Sequence, residues 1–337
     1  MNVLGIETSC DECAAAVVQD GKKILSNVVH TQIEFHKPFS GVVPEIASRM
    51  HTEWIRPVVE KAVEEAGLEL DGLDGIAVTN RPGLVGSLLV GLSYAKAFAF
   101  GLGIPFIGVN HILAHLYAPH LEHDLEFPYI GLLLSGGHTI IGIVKSVFDF
   151  QVMGTTIDDA CGEAFDKIAK HYHLGYPGGV VIDKLAQKGD PKAFNFPGPS
   201  LHKGDHRYDV SYSGLKTAVI NQLDQFWNTH YEKTEENICA AFQKQAIEMV
   251  LKRLDRAVND TGITRVVAGG GVAANSYLRK ALADRRGISV AYPSMELCTD
   301  NAAMIAGLGY HYLSRGELSS FSENAYARVS SFKKTYP

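Results

Sequence analysis

The chain has 337 residues, of which 46% are hydrophobic and 20% are charged, a composition typical of packed globular domains and unlike that of disordered chains. At about 150 residues per domain, this length predicts roughly two domains. The formal net charge of −6 excludes a basic coat for nucleic acid over the whole surface, although it is compatible with a local basic patch. The five cysteines are odd in number and scattered, so they do not indicate a disulfide framework.

Two features of the sequence bear on cellular location. No lysine or arginine precedes Glu7, which argues against a secretory signal sequence. Residues 83–109 are long and nearly uncharged, but Lys96 lies in the middle and Pro105 near the end. This stretch therefore predicts a buried helix followed by a core strand rather than a membrane span, and we expect a cytoplasmic protein.

The predicted elements of the two halves follow the same order, which indicates an internal duplication of an α/β unit. Each half begins with a strand, a polar or glycine-rich turn and two more strands; a later strand ends in glycines before a helix, and a last strand follows. Strands are predicted at 3–6, 14–18, 24–29, 75–79 and 106–109, and again at 129–134, 140–144, 150–153, 265–268 and 288–291. This pattern predicts two α/β lobes with a cleft lined by turns from both.

The remaining segments complete the predicted domain organisation. The stretch 176–212 is dense in Gly, Pro, His and Asp, and we interpret it as an insertion rather than core. Helices are predicted from Leu84 and at 111–124, 215–226, 235–259, 275–283 and from about 301 to 313. The predicted boundaries are a first lobe at 1–110, a helix and connection at 111–126, a second lobe at 127–300, and a C-terminal helix and tail at 301–337 that packs back on the first lobe.

His111 and His115 are four residues apart, and on a helix this spacing puts both imidazoles on one face, close enough to share a cation. The alternative is a pair of partly buried polar residues without a metal. Ile112 stands where the zinc-peptidase motif H-E-x-x-H requires glutamate, so a metallopeptidase would lack its general base. Asp300 is the best third ligand, and two histidines with one carboxylate suit iron or zinc and leave positions open to a substrate oxygen.

Two glycine-rich turns follow apolar strands and can bind anions through backbone N–H groups. They are Ser135-Gly136-Gly137-His138 and Gly269-Gly270-Gly271, and plain tight turns are the alternative for each. Acidic residues at 158–159 and Asp166 either complement a helix N-terminus or hold a hydroxyl-bearing ligand. The acidic pair Asp11-Glu12 in the first turn allows the same two interpretations.

The ordered motifs of the chain resemble those of one enzyme family over nearly the whole length. The motifs are Gly5-Ile6-Glu7-Thr8-Ser9-Cys10-Asp11-Glu12, Gly41-Val42-Val43-Pro44-Glu45-Ile46-Ala47-Ser48-Arg49, Pro82-Gly83-Leu84-Val85-Gly86, His111-x3-His115, Leu134-Ser135-Gly136-Gly137-His138-Thr139, Asp158-Asp159-Ala160-x-Gly162-Glu163-Ala164-Phe165-Asp166-Lys167, Tyr176-Pro177-Gly178-Gly179, Ser211-Tyr212-Ser213-Gly214-Leu215-Lys216-Thr217, Gly270-Gly271-Val272-Ala273-Ala274-Asn275 and Cys298-Thr299-Asp300-Asn301. Through them the chain resembles the tRNA threonylcarbamoyladenosine transferase family (TsaD-type), formerly called O-sialoglycoprotein endopeptidases.

This resemblance implies a duplicated actin/Hsp70/sugar-kinase-like fold. It also implies transfer of a threonylcarbamoyl group from threonylcarbamoyl-adenylate to the exocyclic amine of the adenosine 3′ of the anticodon, in tRNAs that read codons starting with A. By the same resemblance the metal ligands are His111, His115 and Asp300, with iron expected first and zinc second. The implied adenylate-binding residues are Leu133, Leu134, Ser135, Gly136, Gly137, Asp166, Gly179, Asp183 and Asn275.

Further expectations concern the acceptor, the partners and the rival functions. We expect Asp11 or Glu12 to orient or deprotonate the acceptor amine, and Arg49, Arg56, Arg81 and Lys216 to be possible phosphate contacts, with solvated surface positions as the alternative. The resemblance implies tRNA, a paralogous partner of the same fold and a small ATPase as partners. Two departures from the family pattern are Cys13, where Thr is usual, and Asn80-Arg81, where a glycine is commoner. The rival functions are a kinase or ATPase on the same fold and a metallopeptidase.

Overall fold

The structure is a computed structural model that describes residues 1–198, 201 and 205–329. The chain divides into two compact units. Of the described residues, the first unit comprises Met1–Leu125 and 293–329, and the second comprises the described part of Glu126–Tyr292. Asp300 therefore lies in the first unit, whereas the sequence predicted a boundary at 300. Parts of the predicted insertion (199, 200 and 202–204) and of the predicted tail (330–337) lie outside the described residues.

The first unit contains a five-stranded sheet in the order β3-β2-β1-β4-β5. Its strands are β1 (Asn2–Glu7), β2 (Glu12–Gln19), β3 (Lys23–Thr31), β4 (Gly75–Arg81) and β5 (Phe106–Asn110). The β1–β2 and β2–β3 pairs are antiparallel, and the β1–β4 and β4–β5 pairs are parallel. Central β1 therefore pairs Ile6 with Ala15 on one side and with Val78 on the other.

The second unit repeats this topology in a sheet of order β10-β9-β6-β7-β8. Its strands are β6 (Tyr129–Leu134), β7 (Thr139–Ser146), β8 (Asp149–Thr155), β9 (Arg265–Gly269) and β10 (Ser289–Ala291). The β6–β7–β8 meander is antiparallel, and β9 pairs in parallel with β6 and β10. The predicted duplication of an α/β unit is confirmed.

Twelve helices are present in the described part of the chain, besides short 3₁₀ turns. They are α1 (Ile33–His36), α2 (Pro44–Glu65), α3 (Val85–Leu102), α4 (His111–Tyr117), α5 (Cys161–His171), α6 (Gly178–Ala186), α7 (Ser213–Asn221), α8 (Leu223–Phe226), α9 (Glu235–Thr261), α10 (Ser276–Ala283), α11 (Met295–Cys298) and α12 (Ala302–Ser314). The predicted helix at 111–124 is thus a short α-helix followed by a 3₁₀ turn at Ala118–Leu121.

Helices cover both faces of the first sheet. Side chains alternate along a strand, so Leu4 and Ile6 point to one face and Gly5 to the other. The face of Leu4 and Ile6 forms a buried core with α2 and α3, while α12 packs on the opposite face. A Cβ added at Gly5 would lie 2.2 Å from the carbonyl oxygen of Ala302, so glycine is required for this close approach of α12.

Helix α3 is the one helix within the described residues that is long and apolar enough to cross a membrane by length and composition. It packs on β4 and α2, with Leu92 and Ala95 buried in the core of the first unit. Its outer side leaves Val85, Leu89 and Phe100 exposed. The apolar stretch is therefore a helix packed on a sheet with an apolar outer face.

The interpretation of 176–212 as an insertion outside the core is wrong for much of that stretch. Helix α6 packs on α5 and α9 with Ile182 fully buried, and Val210 and Tyr212 are buried as well. The segment has no clear helical period because glycines and a proline open it and α6 has only nine residues. Tertiary packing against α5 and α9, rather than local pattern, makes it part of the core.

Candidate metal centre and nucleotide-binding loops

Helix α4 positions the two histidines of the predicted metal site. Asn110 caps its start, because its side-chain oxygen accepts hydrogen bonds from the backbone N–H groups of Ile112 (2.9 Å) and Leu113 (3.4 Å). The rings of His111 and His115 then lie on one face with centroids 4.5 Å apart. Both side chains are buried.

Asp300 reaches these imidazoles from the turn before α12. Its Oδ1 lies 3.0 Å from Nε2 of His115 and 3.5 Å from Nε2 of His111. Asn301 holds the turn, since its Oδ1 caps α12 at Met304 N (3.1 Å) and its amide nitrogen donates to two carbonyls, of Leu297 and Thr299. One ligand atom from each of the three predicted residues falls within 4.8 Å of the others, so the structure brings them together.

A second carboxylate, Glu7, lies behind His111 and was not assigned a role from the sequence. Its Oε2 lies 2.9 Å from His111 Nδ1 and accepts a hydrogen bond from the Thr79 hydroxyl, while its Oε1 accepts one from Ser9 N. Glu7 is completely buried. An acid at the last position of the buried strand β1 is the signal that could have identified it.

The charged groups of this cluster shift one another's pKa values. Burial favours the neutral carboxyl of Glu7, but the charge and hydrogen bond of His111 outweigh it, so the Glu7 pKa lies below its ordinary value. Burial alone would lower the His111 pKa, yet the carboxylates of Glu7 and Asp300 raise it to about 9. Burial and the adjacent His111 cation lower the pKa of His115. The cluster is thus a buried site whose carboxylates favour a cation.

This donor set fits a divalent cation. When His111 Nδ1 donates to Glu7, the ring nitrogen left to bind a metal is Nε2, which faces Asp300, as is usual for a metal-binding histidine with a carboxylate behind it. Two imidazole nitrogens and one carboxylate oxygen suit iron or zinc. His111, His115 and Asp300 could therefore hold the metal directly, and Glu7 would orient the first of them.

The predicted acids Asp11 and Glu12 lie where β2 begins. They follow the turn after β1, and the Glu12 carboxyl accepts a hydrogen bond from Thr31 on the neighbouring strand (3.4 Å). Burial, with repulsion from Asp11 and then Asp300, raises the Glu12 pKa well above its ordinary value. Glu12 thus lies within the electrostatic influence of both Asp11 and Asp300.

In the second unit, the two predicted glycine-rich turns lie against each other. The hairpin closes with Ser135 N donating to His138 O (2.8 Å), and a Cβ added at Gly136 or Gly137 would meet nothing within 4 Å in the described part of the chain apart from its chain neighbours. Gly270 has φ +85°, and a Cβ added there would lie 2.5 Å from the carbonyl oxygen of Leu134. This backbone requires glycine at 270, and it leaves the tips of the hairpin open for a ligand.

The predicted nucleotide-binding residues beyond the hairpin meet around α6. Asp166 on α5 accepts a hydrogen bond from Gly178 N (2.8 Å), next to Gly179 in the first turn of α6. Asp183 accepts hydrogen bonds from the Ser276 hydroxyl (2.7 Å) and the Asn275 amide (3.3 Å), so α6 is joined to the start of α10. Leu133 and Leu134 are buried in β6, directly before the hairpin.

Several other side chains that were predicted to contact ligands form hydrogen bonds or salt bridges with other residues of the chain. Asp158 accepts hydrogen bonds from Tyr212 N and the Ser213 hydroxyl, both at 2.7 Å, and so fixes the turn before α7. Asp159 forms salt bridges with Lys167 (2.6 Å) and Lys216 (2.5 Å). Among the other basic residues considered for phosphate, Arg49 lies near Glu53 (3.6 Å) and Arg56 pairs with Glu60 (2.7 Å).

Comparisons with known proteins agree with these features. A family model described as tRNA N6-adenosine threonylcarbamoyltransferase matches residues 23–307. A protein of that name from Treponema denticola is 65% identical to this chain over 334 residues. The matched region covers 99% of each of the two chains. Among solved structures, full-length HypF in its phosphate- and nucleotide-bound form has a TM-score of 0.63 at 15% identity, over 94% of this chain and 47% of that one.

A ROK hexokinase from Thermus thermophilus has a TM-score of 0.50 at 19% identity, over 94% of this chain and 100% of the hexokinase. At such identities the solved structures show the fold alone, which is the actin/Hsp70/sugar-kinase-like fold that the resemblance implied. The family itself rests on the sequence matches, which span most of the chain. On this evidence the chain belongs to the tRNA N6-adenosine threonylcarbamoyltransferase family, whose members modify tRNA by group transfer.

Proposed function

We propose that the chain transfers the threonylcarbamoyl group of threonylcarbamoyl-adenylate to the exocyclic amine of the adenosine 3′ of the anticodon, in tRNAs that read codons starting with A, and releases AMP. The observation that carries this proposal is the buried cluster of His111, His115 and Asp300 with Glu7 behind it. In a chain of this family, such a cluster supports an acyl-type transfer assisted by a metal.

In the proposed step, the N6 nitrogen of adenosine attacks the carbamoyl carbonyl carbon. A new C–N bond forms, the bond from that carbon to the phosphate oxygen breaks, and AMP leaves with the electron pair while the amine loses one proton. The open hairpin tips at Gly136 and Gly137 offer backbone N–H groups to the phosphate. Asp166, Gly179, Asp183 and Asn275 would bind the nucleoside part of the adenylate.

His111, His115 and Asp300 would hold one divalent cation, for which iron is our first expectation and zinc our second. When bound, the cation supplies Lewis-acid polarisation of the carbonyl. Glu7 keeps His111 in the tautomer whose Nε2 is available as a ligand, because its carboxylate accepts the Nδ1 proton. The same carboxylate is fixed by Thr79 and Ser9.

Asp11 or Glu12 would take the proton that the attacking amine loses. Asp11 directly precedes β2 and Glu12 is its first residue, and Asp300 contributes to the raised pKa of the Glu12 carboxyl. The acceptor base has to be unstacked from its neighbours to react, as bases in tRNA loops can be. With a net charge of −6, the chain would hold tRNA by a local basic rim, so binding should weaken as salt rises.

The proposed partners are a paralogous protein of the same fold and a small ATPase, besides tRNA. The exposed apolar outer face of α3, with Val85, Leu89 and Phe100, supports a protein partner on the first unit. The five free cysteines support a reducing compartment, and we place the reaction in the cytoplasm.

The proposed reaction is tested by incubating the protein and its partners with threonylcarbamoyl-adenylate, ATP and unmodified tRNA, followed by mass spectrometry of the nucleosides. We expect threonylcarbamoyladenosine with the wild-type protein and none with His115→Ala. If the modified nucleoside does not form, or forms equally with His115→Ala, the proposal is wrong. Production of ADP from ATP by the protein alone, without need for His111 and His115, would favour a kinase or ATPase instead.

A further inference from the structure

The connection between β1 and β2, residues 8–11, is tied to other elements of the first unit through its backbone carbonyls. Ser9 O accepts a hydrogen bond at 2.8 Å from Leu84 N, directly before α3. Asp11 O accepts one at 3.0 Å from Gln32 N, directly after β3. Both donors are backbone N–H groups, which every residue type except proline supplies. These two ties therefore do not depend on a particular side chain.

The carbonyl between them, that of Cys10, is held by a side chain. Nε2 of His51 on α2 lies 2.9 Å from Cys10 O. A carbonyl oxygen only accepts hydrogen bonds, so Nε2 carries the proton and donates it to this contact. His51 thus supplies the one tie of the three that a change of side chain removes.

The other ring nitrogen of His51, Nδ1, has no hydrogen-bond partner among the residues that the structure describes, although the side chain is completely buried. Burial lowers the pKa of His51 by more than the Cys10 carbonyl and the carboxylates of Glu7 and Asp11 raise it, so the ring is neutral at pH 7 and Nδ1 is an unpaired acceptor. A buried acceptor without a donor costs stability. An apolar side chain of similar size would avoid that cost, so the hydrogen bond from Nε2 is what distinguishes histidine at this position.

The residue before Cys10 is fixed independently of His51. Ser9 N donates to Glu7 Oε1, and Ser9 Oγ lies 3.3 Å from His111 Nδ1, so contacts at the proposed metal centre hold this side of the connection. We therefore expect the metal centre to remain intact when the hydrogen bond from His51 is lost.

The two acids that follow Cys10 differ in how they are held. Glu12 is paired with Thr31 in the sheet, and its carboxyl also accepts a hydrogen bond from the Thr31 hydroxyl. Asp11 lies outside the strand and directly after Cys10, and its side chain is largely buried. The orientation of Asp11 therefore depends on how the carbonyls of the connection are held, whereas that of Glu12 depends on the sheet.

We propose that His51 is a positioning residue for proton transfer: its hydrogen bond to the Cys10 carbonyl holds the β1–β2 connection so that the Asp11 carboxylate takes the proton of the attacking amine. The inference rests on the proposed function and deepens it, because it selects Asp11 as the proton acceptor and assigns its orientation to a side chain of α2. His51 itself touches neither the substrates nor the cation. Its loss should therefore slow the transfer step and leave the binding of substrates and metal unchanged.

The test is the rate of transfer from threonylcarbamoyl-adenylate to unmodified tRNA by the metal-loaded protein with its partners, with kcat and the KM for each substrate measured separately. His51→Met keeps a side chain of similar size and removes the donor. A misplacement of about 1 Å can cost about a hundredfold in rate, and we expect kcat to fall at least about tenfold while both KM values and the metal content stay as in the wild type. His51→Gln places an amide N–H near the position of Nε2 and should restore most of kcat.

Hydrogen exchange measures the position of the connection without reference to activity. Amide exchange at residues 8–11, followed by mass spectrometry, should be faster in His51→Met than in the wild type and in His51→Gln. A released connection opens more often, and its amides then exchange sooner.

A double-mutant cycle shows whether His51 acts through Asp11. Asp11→Asn should lower kcat by itself, and adding His51→Met should cause little further loss, because the group that His51 positions has already been removed. A role in general stability would instead add its full effect in this background. If the double variant is too slow to measure, the comparison of His51→Met with His51→Gln carries the test.

Ser26→Ala is the matched control. Ser26 Oγ donates to Ala62 O on α2 at 2.6 Å, so this change also removes a buried hydrogen bond from a side chain to a carbonyl, away from the β1–β2 connection. It should lower the unfolding temperature and keep the kcat of the wild type. His51→Asn, whose shorter amide does not reach the Cys10 carbonyl, replaces His51→Met if thermal unfolding shows that the Met variant is not folded.

A wild-type kcat in His51→Met, or an equal loss in His51→Met and His51→Gln, would overturn the inference. So would a wild-type kcat in Asp11→Asn, an undiminished effect of His51→Met in the Asp11→Asn background, or an equal loss of kcat in Ser26→Ala. All of these results leave the proposed function intact, since the wild type still forms the modified nucleoside. Failure of the wild type to form it would instead contradict the proposed function, and the inference would fall with it.

Discussion

In the proposed metal centre, Glu7 would not bind the cation itself but would orient His111, which would. Replacing Glu7 by Gln keeps the size of the side chain and an oxygen that can accept the His111 proton, but removes the negative charge 2.9 Å from the imidazole. Changes to a carboxylate behind a metal-binding histidine typically cost 10–100-fold in metal affinity. We expect a loss of about that size for Glu7→Gln, measured by competition with a chelator.

The matched control for this change is Glu34→Gln, since Glu34 pairs with Lys37 on the surface of the first unit. It should retain metal as the wild type does. Equal metal affinity in Glu7→Gln and the wild type would mean that Glu7 serves the fold of the turn after β1 rather than the metal.

In the second unit, Asp183 allows a single-residue test of the proposed nucleotide site. Asp183→Asn keeps the shape of the side chain but weakens the hydrogen bonds that a carboxylate would form with nucleoside hydroxyls. Hydrogen bonds to charged groups contribute about 1.5–3 kcal/mol, so we expect AMP affinity to fall by at least about tenfold. Calorimetry measures the affinity, and elemental analysis should show unchanged metal content because the proposed ligands lie in the first unit. Unchanged AMP affinity would remove Asp183 from the nucleotide site.

At the scale of elements, helix caps link stability to the site. Asn301 caps α12 and also donates to two carbonyls of the turn that carries Asp300. Asn301→Ala should cost about 1–2 kcal/mol of unfolding free energy for the lost cap, and it should also release the turn and lower metal content. Urea unfolding and elemental analysis measure the two effects.

Thr234 offers a comparison on another helix. It caps α9 through a hydrogen bond from Asn237 N (3.2 Å), in the unit without the proposed metal ligands. Thr234→Ala should lose about 1 kcal/mol of unfolding free energy and keep its metal. If Asn301→Ala also kept its metal while losing the same stability, the turn would hold Asp300 without the help of Asn301.

The helices and strands also differ in how well sequence patterns predict them. The strand predicted at 129–134 is β6, because six apolar or glycine residues lie between Pro128 and a polar turn and all six are buried. Helix α6 was missed, because its buried side depends on α5 and α9, which lie elsewhere in the sequence. Long apolar runs carry their own signal, whereas short helices depend on what packs against them.

At the scale of the whole molecule, partly and fully buried histidines make stability depend on pH. Burial, with the charges of His311 and Lys22, lowers the His120 pKa from its ordinary 6.5 to about 4. A lowered histidine pKa means that the folded state binds the proton less readily than the unfolded state. The contribution to stability is therefore complete above pH 6.5 and is lost as the pH falls from 6.5 towards 4.

His120→Phe should reduce this acid sensitivity, since phenylalanine keeps a ring for stacking on Tyr117 but does not titrate. The measurement is the urea midpoint at pH 7 and at pH 5. The wild type should lose more stability between the two than the variant, although the buried His51, whose pKa burial also lowers, keeps part of the effect. Parallel losses in the two proteins would contradict the assignment.

The sequence by itself determined the duplicated order of strands and helices, the pair of imidazoles on one helical face and the glycine-rich turns. These features depend on periodicity and on residue types within short segments, which local backbone geometry translates directly into structure. Only the tertiary structure decided that Glu7 meets His111 across 104 positions and that Gln243 meets Asn275 across 32. Such contacts depend on how β1 pairs within its sheet and how α9 packs against α10, and no local pattern records either.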